Sequence, residues 1–134
     1  MSQQNVELVR GRYERFIATG ELDPDWFDPD FVWDMSTFAG WPEKQFYSGV
    51  EGVREFESGW LEAWDDWRLE LDELHDAGDD KVVGIVSQYG RSKSTGVEVD
   101  MHLAQVWTLR GERYVRMQMY ADSREALEAA GLSE

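Results

Sequence analysis

The chain has 134 residues, enough for one hydrophobic core and not two, so any ligand site must be carved from that core. Hydrophobic residues make up 42% and aromatics 13%, with seven Trp, which excludes a disordered chain. Thirteen Lys and Arg against 28 Asp and Glu give a net charge of -15 that repels nucleic-acid backbones and anionic membranes, and the lack of Cys excludes disulfides, Zn-thiolate sites and thiol nucleophiles.

From Ser2 to Thr19, the residues Val6, Val9, Tyr13, Phe16 and Ile17 recur at helical spacing, with Ser2 placed to cap the start and Gly20 the end. The opening MSQQNVELVR lacks the apolar centre of a signal peptide and no run approaches a membrane span, so the expected location is cytoplasmic. Two Asp-Pro steps in ELDPDWFDPD predict a short helix near Asp25 to Phe27 and then a turn; Phe31 to Met35 predicts a strand. Residues 36–48 hold Gly40, Pro42, Phe38, Trp41 and Phe46, a composition that suits a loop folded as a rim over apolar surface. A second helix is predicted from about Val50 to Asp65, with Val53, Phe56, Trp60 and Trp64 on one stripe, a pattern that forms core in most proteins.

After Asp66 the apolar period falls to two. Trp67, Leu69 and Leu71 alternate with charges, and KVVGIVSQYGR, VEVDMHLAQVWTL and YVRMQMYA supply further strands joined by turns at AGDD, SKSTG and RGER. SREALEAAG closes as a short helix capped by Ser123 and ended by Gly131. Helices first and strands later predict one α+β domain over residues 1–134, with helices on one face of a curved antiparallel sheet.

The phrase Phe46-Tyr47-Ser48-Gly49-Val50-Glu51-Gly52-Val53-Arg54-Glu55-Phe56, preceded by Leu22-Asp23 and Asp28-Pro29-Asp30-Phe31-Val32-Trp33, resembles the SnoaL-like branch of the NTF2-like superfamily. So does the ending Val106-Trp107-Thr108-Leu109-Arg110-Gly111, Val115-Arg116-Met117 and Glu125-Ala126-Leu127-Glu128-Ala129-Ala130-Gly131-Leu132. The resemblance implies a ketosteroid isomerase-like cone: a bent antiparallel sheet wrapped around the N-terminal helices, an internal apolar pocket, and a homodimer through the outer sheet face. It says little about activity, because this scaffold hosts isomerases, cyclases, hydrolases, dehydratases and carriers. Trp33, Met35, Phe56, Trp60, Trp107, Met117 and Met119 are residue types that line such small-molecule cavities.

Against the ketosteroid isomerase pattern of an Asp base and a Tyr plus protonated-Asp oxyanion hole, Tyr13 stands seven residues before Gly20 and matches the tyrosine. Counted from Asp30, the base position falls on Met35, and alternation puts Phe31, Trp33 and Met35 on the pocket face with Asp34 pointing away as an exposed or interface residue. A bulge or one-residue slip would turn Asp34 inward as a catalytic carboxylate. The second donor position falls on Gln105, whose amide could hold a ligand oxygen without a shifted pKa. The last-strand acid of cyclase and epoxide hydrolase relatives falls on Met119.

Glu98, Asp100 and His102 share one strand face, but strand spacing separates them too widely to grip one metal, and they read as outer-face polar residues. His102 acts as an acid or base only if that face turns inward. His75 reads as solvated, and the acidic turns lack EF-hand spacing, so no metal or cofactor is expected. Two functions stay open: a cofactor-independent isomerase, cyclase or lyase acting on an apolar carbonyl or hydroxyl compound through Asp34, Tyr13 and His102, or a non-catalytic apolar-ligand binder or structural dimer.

Overall fold

A computed structural model describes residues 2–38, 44–78 and 80–131. Gly40, Trp41 and Pro42 of the expected rim, Asp79 of the AGDD turn and Leu132 lie outside the described residues. Helix α1 (Ser2–Thr19) leads through a 3-10 turn (Pro24–Trp26) into strand β1 (Phe27–Asp34), the short strand β2 (Phe46–Ser48) and helix α2 (Gly49–Glu62). Strands β3 (Trp64–Gly78), β4 (Lys81–Ser92), β5 (Glu98–Arg110) and β6 (Arg113–Tyr120) follow, and α3 (Ser123–Ala129) closes the chain. No described helix is long and apolar enough to cross a membrane.

The local causes are legible. Gly20 ends α1 at φ +77, where its N–H reaches the Phe16 carbonyl at 2.7 Å, a left-handed cap that favours glycine. The Asp23 carboxylate accepts from the Asp25 N–H at 2.9 Å and starts the 3-10 turn, with Pro24 in its first turn.

The six strands form a curved, unclosed sheet in the order β2-β1-β6-β5-β4-β3. The pairings are antiparallel except β1 against β6, which run parallel, because β1 enters the sheet beside the last strand as well as beside its sequence neighbour β2. Part of the expected rim is strand: Phe46 to Ser48 pair with Val32 to Asp34. The second helix ends earlier than predicted, and Trp64 opens β3 opposite Ser92 instead of extending the helical stripe, since ladder pairing takes over there. The cap of α3 is Asp122, not Ser123; its carboxylate accepts from the Arg124 N–H at 2.8 Å.

Val6, Val9 and Tyr13 of α1 and Val53 and Phe56 of α2 pack on the inner sheet face against Phe31, Trp33, Val86, Leu103 and Met117. Each fully buried large apolar side chain of this kind contributes about 2 kcal/mol. Helix α3 covers the outer face, where Val83, Ile85, Ala104, Val106, Tyr120 and Ala126 form a second, smaller cluster. Because both faces of its first half are covered, β4 runs apolar from Val82 to Val86 rather than alternating.

Candidate functional site

Between α1, α2 and the inner sheet face lies a cavity of about 80 Å³ with an overwhelmingly apolar wall. Among residues singled out from the sequence, Tyr13, Trp33, Gln105, Trp107 and Met119 form its buried side, while Phe56 and Trp60 of α2 face them. Met35 and Met117 are 1% and 0% exposed but are packed within the core rather than on the cavity wall. The half-buried Phe16, Leu22, Trp26 and Leu61 belong to the outer part of the wall.

The polar groups on this wall have fixed directions. The Trp107 indole N–H donates to the Tyr13 hydroxyl at 2.7 Å, and the hydroxyl donates to Oε1 of Gln105 at 2.6 Å. An indole can only donate, so the Tyr13 oxygen must accept from it, and the single phenolic proton goes to Gln105. Burial, the largest influence, drives the Tyr13 pKa upward against the Trp107 hydrogen bond, which keeps the phenol neutral. A ligand oxygen must therefore displace Gln105 to receive the Tyr13 proton. A Cβ at Gly84 would meet the Tyr13 ring carbons at 2.9 Å, so glycine on the inner face of β4 is what lets this tyrosine lie flat on the sheet.

Gln88 repeats the arrangement on the neighbouring strand. The indoles of Trp60 and Trp67 both donate to its Oε1 at 3.1 Å. Turning the Gln88 amide over would set its NH2 against two donors, and turning Gln105 over would strip the Tyr13 proton of its acceptor. The NH2 groups of Gln88 and Gln105, which have no acceptor among the described residues, are thereby left to the cavity. Register places Gln105 opposite Gly84, four residues along β4 from Gln88, so the two donors sit at different depths.

Two charged residues share the wall, and neither stands out in the sequence. Glu57 on α2 has a buried Oε2 without a hydrogen-bond partner among the described residues, and desolvation raises its pKa, followed by a lowering influence from Arg54 and a raising one from Glu21. Arg12 on α1 donates through Nη2 to the Glu112 carbonyl at 2.5 Å and lies 4.7 Å over the Tyr114 ring, with Nη1 buried and unpartnered among the described residues. The available signals are positional: Arg12 adjoins Tyr13, Glu57 adjoins Phe56, and Gln88 falls on the same alternation as Val82, Gly84 and Val86.

Asp34 and His102 lie elsewhere. The strand alternation holds, so Asp34 points to the outer face, but it is not exposed. At 1% exposure it is covered by an ion pair with Arg116, and it accepts from the Ser36 N–H at 2.8 Å and the Ser36 hydroxyl at 2.5 Å. Residues beyond the strand, Ser36 and Arg116, bury it, and strand periodicity does not report them. His102 is on the outer face, with Nδ1 2.9 Å from the Ser87 hydroxyl and Nε2 3.7 Å from Asp100. Ser87 in turn donates to Asp72 at 2.5 Å, so its proton is directed away from the imidazole, which is not how a serine nucleophile is activated. Among the described residues no group of three or more His, Cys, Asp or Glu is placed to hold a metal.

The architecture is shared with known structures. An NTF2-like protein from Burkholderia thailandensis is 25% identical over 93% of this chain and 95% of its own, with a TM-score of 0.74. A SnoaL-like polyketide cyclase candidate from Jannaschia is 21% identical over 99% and 94%, with a TM-score of 0.69. TerC, co-crystallized with polyporic acid, is 20% identical over 95% and 98%, also with a TM-score of 0.69. The last two likenesses show the fold alone. No curated protein matches the chain. Residues 9–117 match the model of the SnoaL-like domain, and the chain belongs to that family.

Proposed function

We propose that this protein binds a small apolar molecule carrying a hydrogen-bond acceptor, such as a ketone, in the cavity between its helices and sheet. The observation that supports this reading is the fixing of Gln88 and Gln105 by groups that donate to their oxygens, which reserves two neutral amide donors for a predominantly apolar cavity. A donor in such surroundings favours a ligand that satisfies it and disfavours one that leaves it unpaired. TerC, of the same fold, was crystallized with polyporic acid, which is consistent with a small-molecule role for this scaffold. At about 80 Å³ the cavity is small even for one ring, so an aromatic ligand requires the half-buried wall residues to move.

Catalysis is the second reading, and Glu57 favours it: a carboxylate whose pKa is raised by burial beside an apolar cavity is a stronger base than a solvated one. It would take a proton from carbon next to the bound carbonyl, so that the C–H bond breaks, an O–H bond forms on Glu57, and the enolate oxygen accepts from an amide N–H; the proton then returns to carbon. Acetophenone and ethylbenzene, followed through the Trp indole N–H resonances in NMR, test both readings. Acetophenone is expected to bind about tenfold more tightly, one hydrogen bond's worth. Gln105→Glu, which keeps an acceptor for Tyr13 but removes one of the two amide donors, should reduce the difference. In D2O the parent should accelerate α-hydrogen exchange of acetophenone, and Glu57→Gln should bind it normally without exchange. Equal affinities for the two compounds would overturn the binding reading, and exchange no faster than in buffer the catalytic one.

A further inference from the structure

The charge on the cavity wall narrows the ligand class further, resting on the reading of the cavity as a small-molecule site. Arg12 is the only Lys or Arg on the described wall. The chain has 28 acidic residues against 13 basic ones, yet none of the described ion pairs includes Arg12. Instead one side of its guanidinium is held by a backbone carbonyl, and the group packs 4.7 Å over Tyr114 and 5.6 Å over Trp26. The other terminal nitrogen, Nη1, is buried with no acceptor in hydrogen-bonding geometry among the described residues, although Arg12 also acts on the Tyr114 phenol it lies against, lowering a pKa that burial raises. A buried charged donor without a partner is costly, and in a protein this rich in carboxylates the cost could have been removed by one substitution.

We propose that the cavity takes an aromatic carboxylate of about one ring, whose anionic oxygen accepts from Nη1 of Arg12 while the ring lies against the Trp and Phe side chains of the wall. The planar guanidinium, fixed by its carbonyl and two aromatic rings, is already oriented for a carboxylate and loses little freedom on binding it. Glu57, the one carboxylate on the same described wall, has its pKa pushed up by burial, a direction that lessens its repulsion of an entering anion. The net charge of -15 opposes anion binding across the molecule as a whole, so a preference for an anion must arise from this local cation.

Benzoate and benzamide have the same shape and differ in charge, and Trp indole N–H shifts report the occupancy of either. The parent is expected to bind benzoate at least about tenfold more tightly than benzamide, a bond between two opposite charges against one in which only the guanidinium is charged. Arg12→Met, which keeps the aliphatic stem, should lose that preference, with benzoate affinity falling at least about tenfold and benzamide affinity, whose carbonyl accepts from the same nitrogen, falling less; Arg12→Lys should retain part of it. Thermal unfolding establishes that each variant is folded, and the ratio in the parent decides the matter if neither is. A parent that prefers benzamide or shows no preference overturns the inference, as does a preference that survives Arg12→Met; in both cases the cavity still binds. If neither compound shifts the indoles, the small-molecule reading falls with it.

Discussion

Replacing Tyr13 by Phe is expected to lower the stability of the fold by about 3 kcal/mol, although the change removes one oxygen atom. The hydroxyl joins two groups that have no alternative: it takes the Trp107 indole proton and gives its own to Gln105. Tyr13 and Trp107 are 6% and 5% exposed, so removal leaves an orphaned donor and acceptor, each costing on the order of 1–3 kcal/mol. Urea unfolding measures the loss, and a change under about 1 kcal/mol would mean that Gln105 and Trp107 find new partners. The same substitution should alter alkaline stability. Burial raises the phenols of both Tyr13 and Tyr114, the second to about 12, against 10.0 for an ordinary tyrosine. Above pH 10 the unfolded chain holds fewer protons than the folded one, so stability is intact below that pH and declines above it by about 1.4 kcal/mol per unit for each such tyrosine. With Tyr13 removed, the decline in Tyr13→Phe should be shallower by about 1.4 kcal/mol per unit.

That dependence on one hydroxyl shows which parts of this protein can be read from its sequence. Helix α1 is legible because Val6, Val9 and Tyr13 repeat at helical spacing and Gly20 stops them; the inner faces of β1 and β5 are legible because alternation is a local property. Tyr13 and Gln105 each stand out in the sequence, but not their bond across 92 positions of chain, which depends on the bare backbone at Gly84. The parallel placement of β1 beside β6 is likewise a long-range choice. It brings Arg116 over Asp34, and no strand pattern at residues 31 to 35 contains that information. Arg12 and Glu57 are inconspicuous for a related reason: on an amphipathic helix a charged residue beside the apolar stripe normally meets water, and only the packing of α1 and α2 around a cavity encloses their terminal atoms.

Arg116→Met is expected to cost about 3 kcal/mol, whereas Asp34→Asn should cost about 1 kcal/mol, and neither should change acetophenone or benzoate affinity by more than about twofold. The asymmetry follows from burial. The Asp34 side chain is 2% exposed and the Arg116 side chain 41%, so without its cation the carboxylate is left charged inside the fold, while without its anion the guanidinium turns to water. The amide introduced by Asp34→Asn would keep an oxygen for the Ser36 N–H and hydroxyl, the two other donors that Asp34 serves. Ligand affinity should be spared because Asp34 is on the sheet face opposite Trp33 and is not part of the cavity wall. Chemical denaturation of the two single variants and the double variant gives the coupling energy directly. If Asp34→Asn folds like the parent but abolishes acetophenone α-exchange, then Asp34 takes part in the chemistry from the far side of the strand, and the assignment of the proton-carrying role to Glu57 fails with it.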